Sequence, residues 1–261
     1  MSPLARIQKE AIPRQDASHP TQHERNVISF AGIDFRGAIA DDLLPESDRL
    51  KLIFPVNAEL ILLAEKNPRF RQILSRHYST FDGFWPYFTA RLRSRKQIQK
   101  LSGSEFSRAI FEHAAQNKLK LFLLGATPQV NLAAQQKVAQ EYGIKVDGYA
   151  PAFEPYPYSP QTNEGILEEI RRSRPQVLMI AFGAPKQEFW LDEHQSELQA
   201  AGVQLAMAVG GTLDMLAGVY QKAPAFICSV GLEGVWRVLL DPKRIKRFPN
   251  PVRFFRIAFY H

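Results

Sequence analysis

The chain has little cysteine: Cys228 is the only one among its 261 residues. A single thiol allows no intrachain disulfide and excludes a zinc site built from several cysteines. Such scarcity is typical of a reducing compartment, which favours the cytoplasm. No apolar run reaches the roughly 18 residues that a membrane-spanning helix needs, and the polar N-terminus lacks the core of a signal peptide. We therefore expect a protein without disulfide bonds, spanning helices or a secretory signal.

The chain also lacks the sequence fingerprints of several nucleotide-binding and metal-binding sites. It contains no complete GxGxxG with an acidic residue about 20 positions later, and no GxxxxGK[ST] phosphate-binding loop. No DxD-type pair of carboxylates follows a predicted strand, and the histidines show no spacing that suits metal ligands. These absences weigh against a nicotinamide-dependent oxidoreductase. No cofactor is expected from these patterns.

Basic charge is present in excess, and it is unevenly placed. The formal net charge is +7, and the segment from residue 222 to residue 261 carries eight Lys or Arg against two acidic residues. Aromatic side chains are interleaved with these charges, a combination typical of a surface that meets an anionic membrane. The alternative is a final helix whose aromatic side chains pack on the core while its arginines stay solvated. A nucleic-acid-binding protein would instead spread its basic residues over a groove-reading element.

Apolar segments with strand character alternate with helical segments of about ten residues over most of the chain. This alternation predicts an α/β fold, with a Rossmann-like, mostly parallel sheet flanked by helices. The predicted strands are 27–30 and 33–35, which form a hairpin, then 52–56, 78–81, 119–124, 144–149, 177–182 and 203–209. The predicted helices are 58–64, 106–115, 129–142, 167–172, 186–200 and 212–218, and 150–162 is expected to be a long loop.

The same patterns divide the chain into three parts. Residues 1–26 are polar and aperiodic, so we expect a flexible N-terminal segment. Residues 27–220 form the predicted Rossmann-like core. Residues 221–261 form a basic, aromatic C-terminal appendage, expected to be helical and to associate with a membrane.

Polar and glycine-rich turns follow several of the predicted strands. The sequence GAPKQE at 183–188 and the sequence GGTLD at 210–214 each follow an apolar run. Because ligands bind at the carboxyl edge of open α/β sheets, these two turns predict a cleft. Gly125-Ala126-Thr127 is half of a nucleotide-binding turn, or simply a tight turn between strand and helix. Asp82, before Gly83, is suited to act as a general base, or only to form the turn.

Taken in order, these segments resemble the WecG/TagA/CpsF glycosyltransferase family, glycosyltransferase family 26. The resemblance covers about residues 27–248 and rests on the motifs above together with Asn57, Gly231-Leu232-Glu233 and several C-terminal arginines. It implies a bacterial enzyme that transfers a sugar from a UDP-sugar to a saccharide carried on undecaprenyl pyrophosphate. Transfer would occur with inversion at the anomeric carbon, without a metal, and at the cytoplasmic face of the inner membrane, where the protein would be peripheral.

The resemblance also implies roles for individual residues. Asp82 corresponds to the family's proposed catalytic base. Asn57 and Gln187 correspond to positions that face the nucleotide-sugar, and Asp214 to one that contacts UDP. The C-terminal arginines would bind a diphosphate, which planar guanidinium groups do well in the absence of a metal. The complete set of expected substrate-binding residues is Asn57, Lys100, Gly125, Ala126, Gln187, Gly210, Gly211, Asp214, Arg237, Arg244 and Arg247.

The chain departs from the family's pattern at three places near the expected cleft. Pro55 stands where a threonine is usual, so a hydroxyl group is lost. Lys100 lies in a segment that often carries an arginine, and bulky aromatic residues occupy 84–88 after Asp82-Gly83. These changes leave the donor open between UDP-glucose and UDP-ManNAc or UDP-ManNAcA. The expected partners are the UDP-sugar, the polyprenyl-pyrophosphate-linked acceptor and an anionic membrane, without nucleic acid; assembly into a homo-oligomer stays open.

Overall fold

The computed structural model describes residues 27–37, 43–45, 49–220, 223–224, 227, 233–240 and 249–260. The N-terminal segment 1–26, expected to be flexible, lies outside these ranges. The strands are β1 (Ile28–Phe30), β2 (Ile33–Phe35), β3 (Lys51–Val56), β4 (Tyr78–Phe81), β5 (Leu121–Gly125), β6 (Val146–Tyr149), β7 (Val177–Ala181) and β8 (Leu205–Ala208). The helices are α1 (Ala58–Lys66), α2 (Pro68–Arg76), α3 (Phe84–Arg93), α4 (Gly103–Asn117), α5 (Pro128–Tyr142), α6 (Pro160–Ser173), α7 (Lys186–Glu193), α8 (Gln195–Ala200), α9 (Thr212–Leu216), α10 (Glu233–Leu240) and α11 (Pro251–Tyr260).

Six of the strands form one parallel sheet in the order β4-β3-β8-β7-β5-β6, which confirms the predicted α/β fold with a Rossmann-like sheet. The last two strands in the chain, β7 and β8, occupy the middle of the sheet. All carboxyl ends therefore point to one edge, and the central strands bring their following turns side by side. The predicted hairpin is also confirmed, since β1 and β2 pair antiparallel around Ala31 and Gly32, which both have positive φ.

The apolar residues of the strands divide between the two faces of the sheet. In β3, Leu52, Phe54 and Val56 belong to one buried cluster, whereas Ile53 belongs to the other. Because successive side chains of a strand point to opposite faces, a sheet covered by helices on both sides needs apolar residues at every position. This explains the continuous apolar runs in the sequence.

Side-chain caps fix where several helices begin. Asn67 accepts a hydrogen bond from the backbone N–H of Phe70 and is followed by Pro68, which suits the first position of a helix. The same combination of cap and proline begins α6 at Ser159-Pro160, inside the segment predicted as a loop. Helix α2 and the early start of α6 were missed in the sequence because these caps lie outside the apolar periodic stretches.

The aromatic segment after Asp82-Gly83 is helical, and so are two stretches of the C-terminal part. Helix α3 contains Pro86 at its third position, where a proline removes no hydrogen bond of the helix. Helix α11 packs on α1 and α3. Phe254, Ile257 and Ala258 of this helix are buried in the larger apolar cluster, so part of the C-terminal aromatic pattern does serve the core.

Candidate active site at the carboxyl edge of the sheet

Five neighbouring strands place the predicted site residues along one edge of the sheet. Hydrogen bonds join the ends of adjacent strands there. The N–H of Asp82, after β4, donates to the carbonyl of Val56 in β3 at 3.1 Å. The N–H of Val209, after β8, donates to the carbonyl of Ile180 in β7 at 2.9 Å. The turns that follow β3, β4, β5, β7 and β8 therefore border a common region, as expected for the ligand edge of an α/β sheet.

Asp82 lies half-buried directly after β4, where the chain turns into α3. Gly83 has a φ of +84° and precedes the helix without a side-chain cap, a conformation that glycine adopts at little cost. Lys100 pairs with Phe81 as an isolated parallel bridge, and the N–H of Leu101 donates to the Phe81 carbonyl at 2.9 Å. The structure thus brings the basic residue Lys100 beside the strand that carries the candidate base.

Asn57 begins α1 at the carboxyl end of β3. Its side-chain oxygen accepts a hydrogen bond from the N–H of Leu60 at 3.1 Å, which is the contact of a helix N-cap. Pro55 lies two residues earlier. The pairing of β3 with β8 ends at Ile53, so the missing N–H of Pro55 interrupts no bond to that strand. The N-cap contact fixes the amide of Asn57 in orientation at the edge.

The GAPKQE segment forms a tight turn that is held together by its own side chains. Gln187 is 5% exposed, and its side-chain oxygen accepts a hydrogen bond from the N–H of Gly183 at 3.1 Å. Its side-chain nitrogen donates to Oε1 of Glu188 at 3.0 Å. The side chain of Gln187 therefore stabilises the turn between β7 and α7 through these two hydrogen bonds, and only a small part of it is exposed at the surface.

Glu188 is a buried carboxyl group that sequence reasoning did not include in the site. Burial raises its pKa to about 7, although the hydrogen bond from Gln187 acts in the opposite direction. Its second oxygen, Oε2, is buried and has no hydrogen-bond partner among the described residues. The position of Glu188 next to Gln187 in the motif could have indicated a role in the site. A glutamate in the first turn of a helix usually lies in solvent, however, where its negative charge interacts favourably with the helix dipole.

The two glycine turns pack closely against neighbouring groups of the protein. Gly125 has a φ of +96°, and a Cβ at this position would lie 2.9 Å from the carbonyl oxygen of Ala181. Gly211 accepts a hydrogen bond at its carbonyl from the hydroxyl of Tyr220, and a Cβ there would meet that hydroxyl at 2.1 Å. Half-buried Asp214 follows in the first turn of α9. Ala126, adjacent to Gly125, is half-buried with a φ of 60°, and Gly210 has a φ of +50°.

Asn131 is a second buried polar residue near the site that sequence reasoning did not identify. Its side-chain nitrogen donates to the carbonyls of Leu123 at 3.0 Å and Gly125 at 2.8 Å. It is buried under the turn after β5, close to Gly148 of β6, whose added Cβ would lie 2.4 Å from the Asn131 oxygen. Asn131 therefore holds the ends of β5 and β6 in place, a structural task that supports this edge of the sheet.

The C-terminal arginines are described only in part. Arg237 lies in α10, with its backbone alone described, whereas Arg244 and Arg247 lie outside the described residues. Within the described ranges, three or more His, Cys, Asp or Glu side chains nowhere gather as they would around a metal ion. In the same part of the chain, no helix combines the length and the apolar character needed to cross a membrane.

Residues 28–261 match the model described as the glycosyl transferase WecG/TagA/CpsF family. The match begins at the first strand of the hairpin and includes every turn that contributes to the site, together with the C-terminal basic segment.

Proposed function

The chain belongs to the WecG/TagA/CpsF glycosyltransferase family, and we propose that it transfers a sugar from a UDP-sugar to a saccharide linked to polyprenyl pyrophosphate. Membership makes the protein a glycosyltransferase of cell-surface polysaccharide biosynthesis. The donor, the acceptor, inversion at the anomeric carbon and independence of metal are the proposed parts. The observation that supports them most is that Asp82, Asn57, Gln187 and the 210–214 turn share one edge of the sheet.

Asp82 is proposed as the general base of the reaction. A carboxylate at the carboxyl edge of the sheet accepts the proton of the acceptor hydroxyl while the hydroxyl oxygen attacks the anomeric carbon. The bond from that carbon to the UDP oxygen breaks, and UDP leaves from the opposite face, so the configuration inverts. The half-buried position of Asp82 after β4 suits this role, because the group borders the edge and remains reachable.

The nucleotide is proposed to lie across the turns after β5, β7 and β8. An added Cβ at Gly125 or Gly211 would collide with neighbouring protein groups, so these glycines allow the turns that would receive the nucleotide to pack as they do. Asp214 would contact the UDP part, and Asn57 and Gln187 the sugar. Gln187 would act mainly by fixing the turn, since 5% of it is exposed.

Positive charge is needed where the diphosphate of UDP separates from the sugar. We propose Lys100 for part of this task, because its backbone lies beside Phe81, next to the candidate base. Arg237, Arg244 and Arg247 are proposed to close over the cleft and bind the diphosphate, or the pyrophosphate of the acceptor. Fixed cations at a developing negative charge stabilise the transition state more than the ground state.

The place of action is proposed to be the cytoplasmic face of the bacterial inner membrane. The protein would be peripheral there, held by its basic and aromatic C-terminal part. The donor is proposed to be UDP-glucose or UDP-ManNAc/ManNAcA, since Pro55 and the aromatic helix α3 depart from the family's usual residues near the sugar.

Release of UDP tests this function directly. The protein is incubated with UDP-glucose, UDP-ManNAc, UDP-ManNAcA, UDP-GlcNAc or UDP-glucuronic acid, each with pyrophosphate-linked lipid sugar acceptors, in EDTA. We expect one donor to give UDP release that depends on the acceptor. A folded protein that releases no UDP from any donor, with vesicles present, would contradict the proposal.

A further inference from the structure

Helices α3 and α11 together expose a continuous apolar surface, here called the aromatic face. It comprises Trp85, Phe88 and Leu92 of α3, which are 39%, 41% and 63% exposed, and Val252 and Phe259 of α11, which are 78% and 49% exposed. Half of the large hydrophobic side chains that are exposed among the described residues therefore lie on these two helices. A contiguous patch of this kind marks an interaction surface more often than scattered single residues do.

The rings of the aromatic face form a packed layer. The ring of Trp85 meets that of Phe255 edge to face at 5.3 Å, and Phe255 stacks on Phe259 at 6.4 Å. Within α3, Phe84 stacks on Phe88 at 5.3 Å. The contacts thus run across both helices without a break, so the exposed rings are held in place before any partner binds.

The opposite side of α11 anchors this layer to the core. Phe254 and Ile257 are each 2% exposed among residues of α1 and α3. The guanidinium of Arg93, on α3, donates to the carbonyl of Ala258, and that of Arg253 pairs with Glu65 on α1. Buried side chains and polar contacts thus attach α11 on one side, and the exposure of the rings on the other side calls for another explanation.

Basic residues border the aromatic face, and neither α3 nor α11 contributes an acidic residue to it. From Gly83 to Lys100, both included, the sequence has five Lys or Arg and no Asp or Glu, and α11 adds Arg253 and Arg256 without an acid. The side chain of Arg256 is 67% exposed, with the carboxyl group of Glu65 on α1 at 4.0 Å from its guanidinium. Aromatic rings bordered by cations match the interface of a bilayer, where tryptophan lies at headgroup level and cations are attracted to anionic lipid.

We propose that the aromatic face docks on the surface of an anionic phospholipid bilayer, with Trp85 and Phe88 of the core helix α3 inserted among the headgroups. The face begins at Trp85, three residues after Asp82, so docking would hold the candidate base next to the membrane. This last point rests on the proposed function, because a polyprenyl-pyrophosphate acceptor has its reactive end at the same surface. A second copy of the chain fits less well, since pairing two such faces would bring like charges together.

Flotation with vesicles tests the docking. The full chain and the variant Trp85→Gln/Phe88→Gln are mixed with vesicles of phosphatidylglycerol or of phosphatidylcholine. We expect the full chain to bind phosphatidylglycerol vesicles in preference to phosphatidylcholine vesicles. The double variant should bind phosphatidylglycerol vesicles at least about tenfold more weakly than the parent, since it buries less apolar surface. The control Leu132→Gln, which changes a 54% exposed residue on α5, should bind as the parent does.

Fluorescence decides the question without disturbing the aromatic face. In Trp236→Phe, the remaining tryptophans are Trp85 and the fully buried Trp190. Quenching by brominated phosphatidylglycerol would then report Trp85 at the lipid. The proposal would be overturned if the Trp236→Phe variant showed no quenching or if the double variant bound vesicles as the parent does. It would also be overturned if the protein formed dimers without lipid that bury Trp85. Titration of the same proteins with UDP tests the proposed function separately, so the two failures are distinguishable.

Discussion

The side-chain nitrogen of Gln187 donates to the carboxyl group of Glu188 at 3.0 Å, while the Gln187 oxygen accepts from the N–H of Gly183. The buried pair therefore ties the start of α7 to the end of β7. A neutral carboxyl group is the form that burial favours, and this form still offers its carbonyl oxygen to Gln187. Glu188 thus supports the turn from beneath.

The stability of the protein should depend on the protonation of Glu188. Its pKa is about 7 in the folded protein, against 4.5 for an ordinary glutamate. Between these values the folded chain holds a proton that the unfolded chain has released, so the free energy of unfolding falls as the pH rises. The loss should be on the order of 3 kcal/mol.

Urea unfolding of the parent and of Glu188→Gln at pH 5 and pH 8 measures this effect. The glutamine cannot ionise and has nearly the same shape, so its free energy of unfolding should fall less over this range. Buried His77, whose pKa is lowered mainly by burial, is present in both proteins and cancels in the comparison. Equal pH dependence in the two proteins would show that Glu188 is not the titrating group.

Strand β6 should tolerate no side chain at Gly148. A Cβ there would lie 2.4 Å from Asn131 Oδ1 and 2.7 Å from the carbonyl oxygen of Leu123, and such overpacking costs about 1–3 kcal/mol. We expect Gly148→Ala to lose this much in the free energy of unfolding. The matched control is Gly165→Ala in α6, which has open space around its Cβ and should gain about 0.5–1 kcal/mol. Similar effects in both variants would contradict the close packing.

The two sides of α11 should respond differently to truncation. Phe254 is buried among α1 and α3, so Phe254→Ala should cost about 3–5 kcal/mol. Val252 is 78% exposed, and Val252→Ala should stay within about 0.5 kcal/mol. Thermal unfolding of both variants without lipid measures the difference. If Phe254→Ala is as stable as the parent, α11 does not pack on the core.

Lys100 should contribute to turnover through its positive charge. Removing a preorganised cation from a site where charge develops commonly lowers kcat by about 10²–10³. We expect Lys100→Ala to show this loss in UDP release, and Lys100→Arg, with the family's more usual residue type, to keep most of the activity. A variant Lys100→Ala with full kcat would remove Lys100 from the proposed site.

Much of the fold could be predicted because the strands are continuous apolar runs that end in glycine or polar residues. The turns after β3, β4, β5, β7 and β8 followed from the same signal, and the family resemblance is confirmed by the match over 28–261. Helix α3 was not predicted, because aromatic residues and Pro86 favour a helix weakly. The burial of Glu188 was not visible either, since it depends on how α7 packs against the sheet and not on local sequence.

Replacing the candidate base tests the central claim most directly. Asp82→Asn keeps the size of the side chain but cannot accept the proton of the acceptor hydroxyl. With the donor identified by UDP release, we expect kcat to fall by about 10²–10⁴, while the affinity for UDP in calorimetry stays within about threefold of the parent. A variant Asp82→Asn that releases UDP at the parent's rate would contradict the assignment of Asp82 and the mechanism built on it.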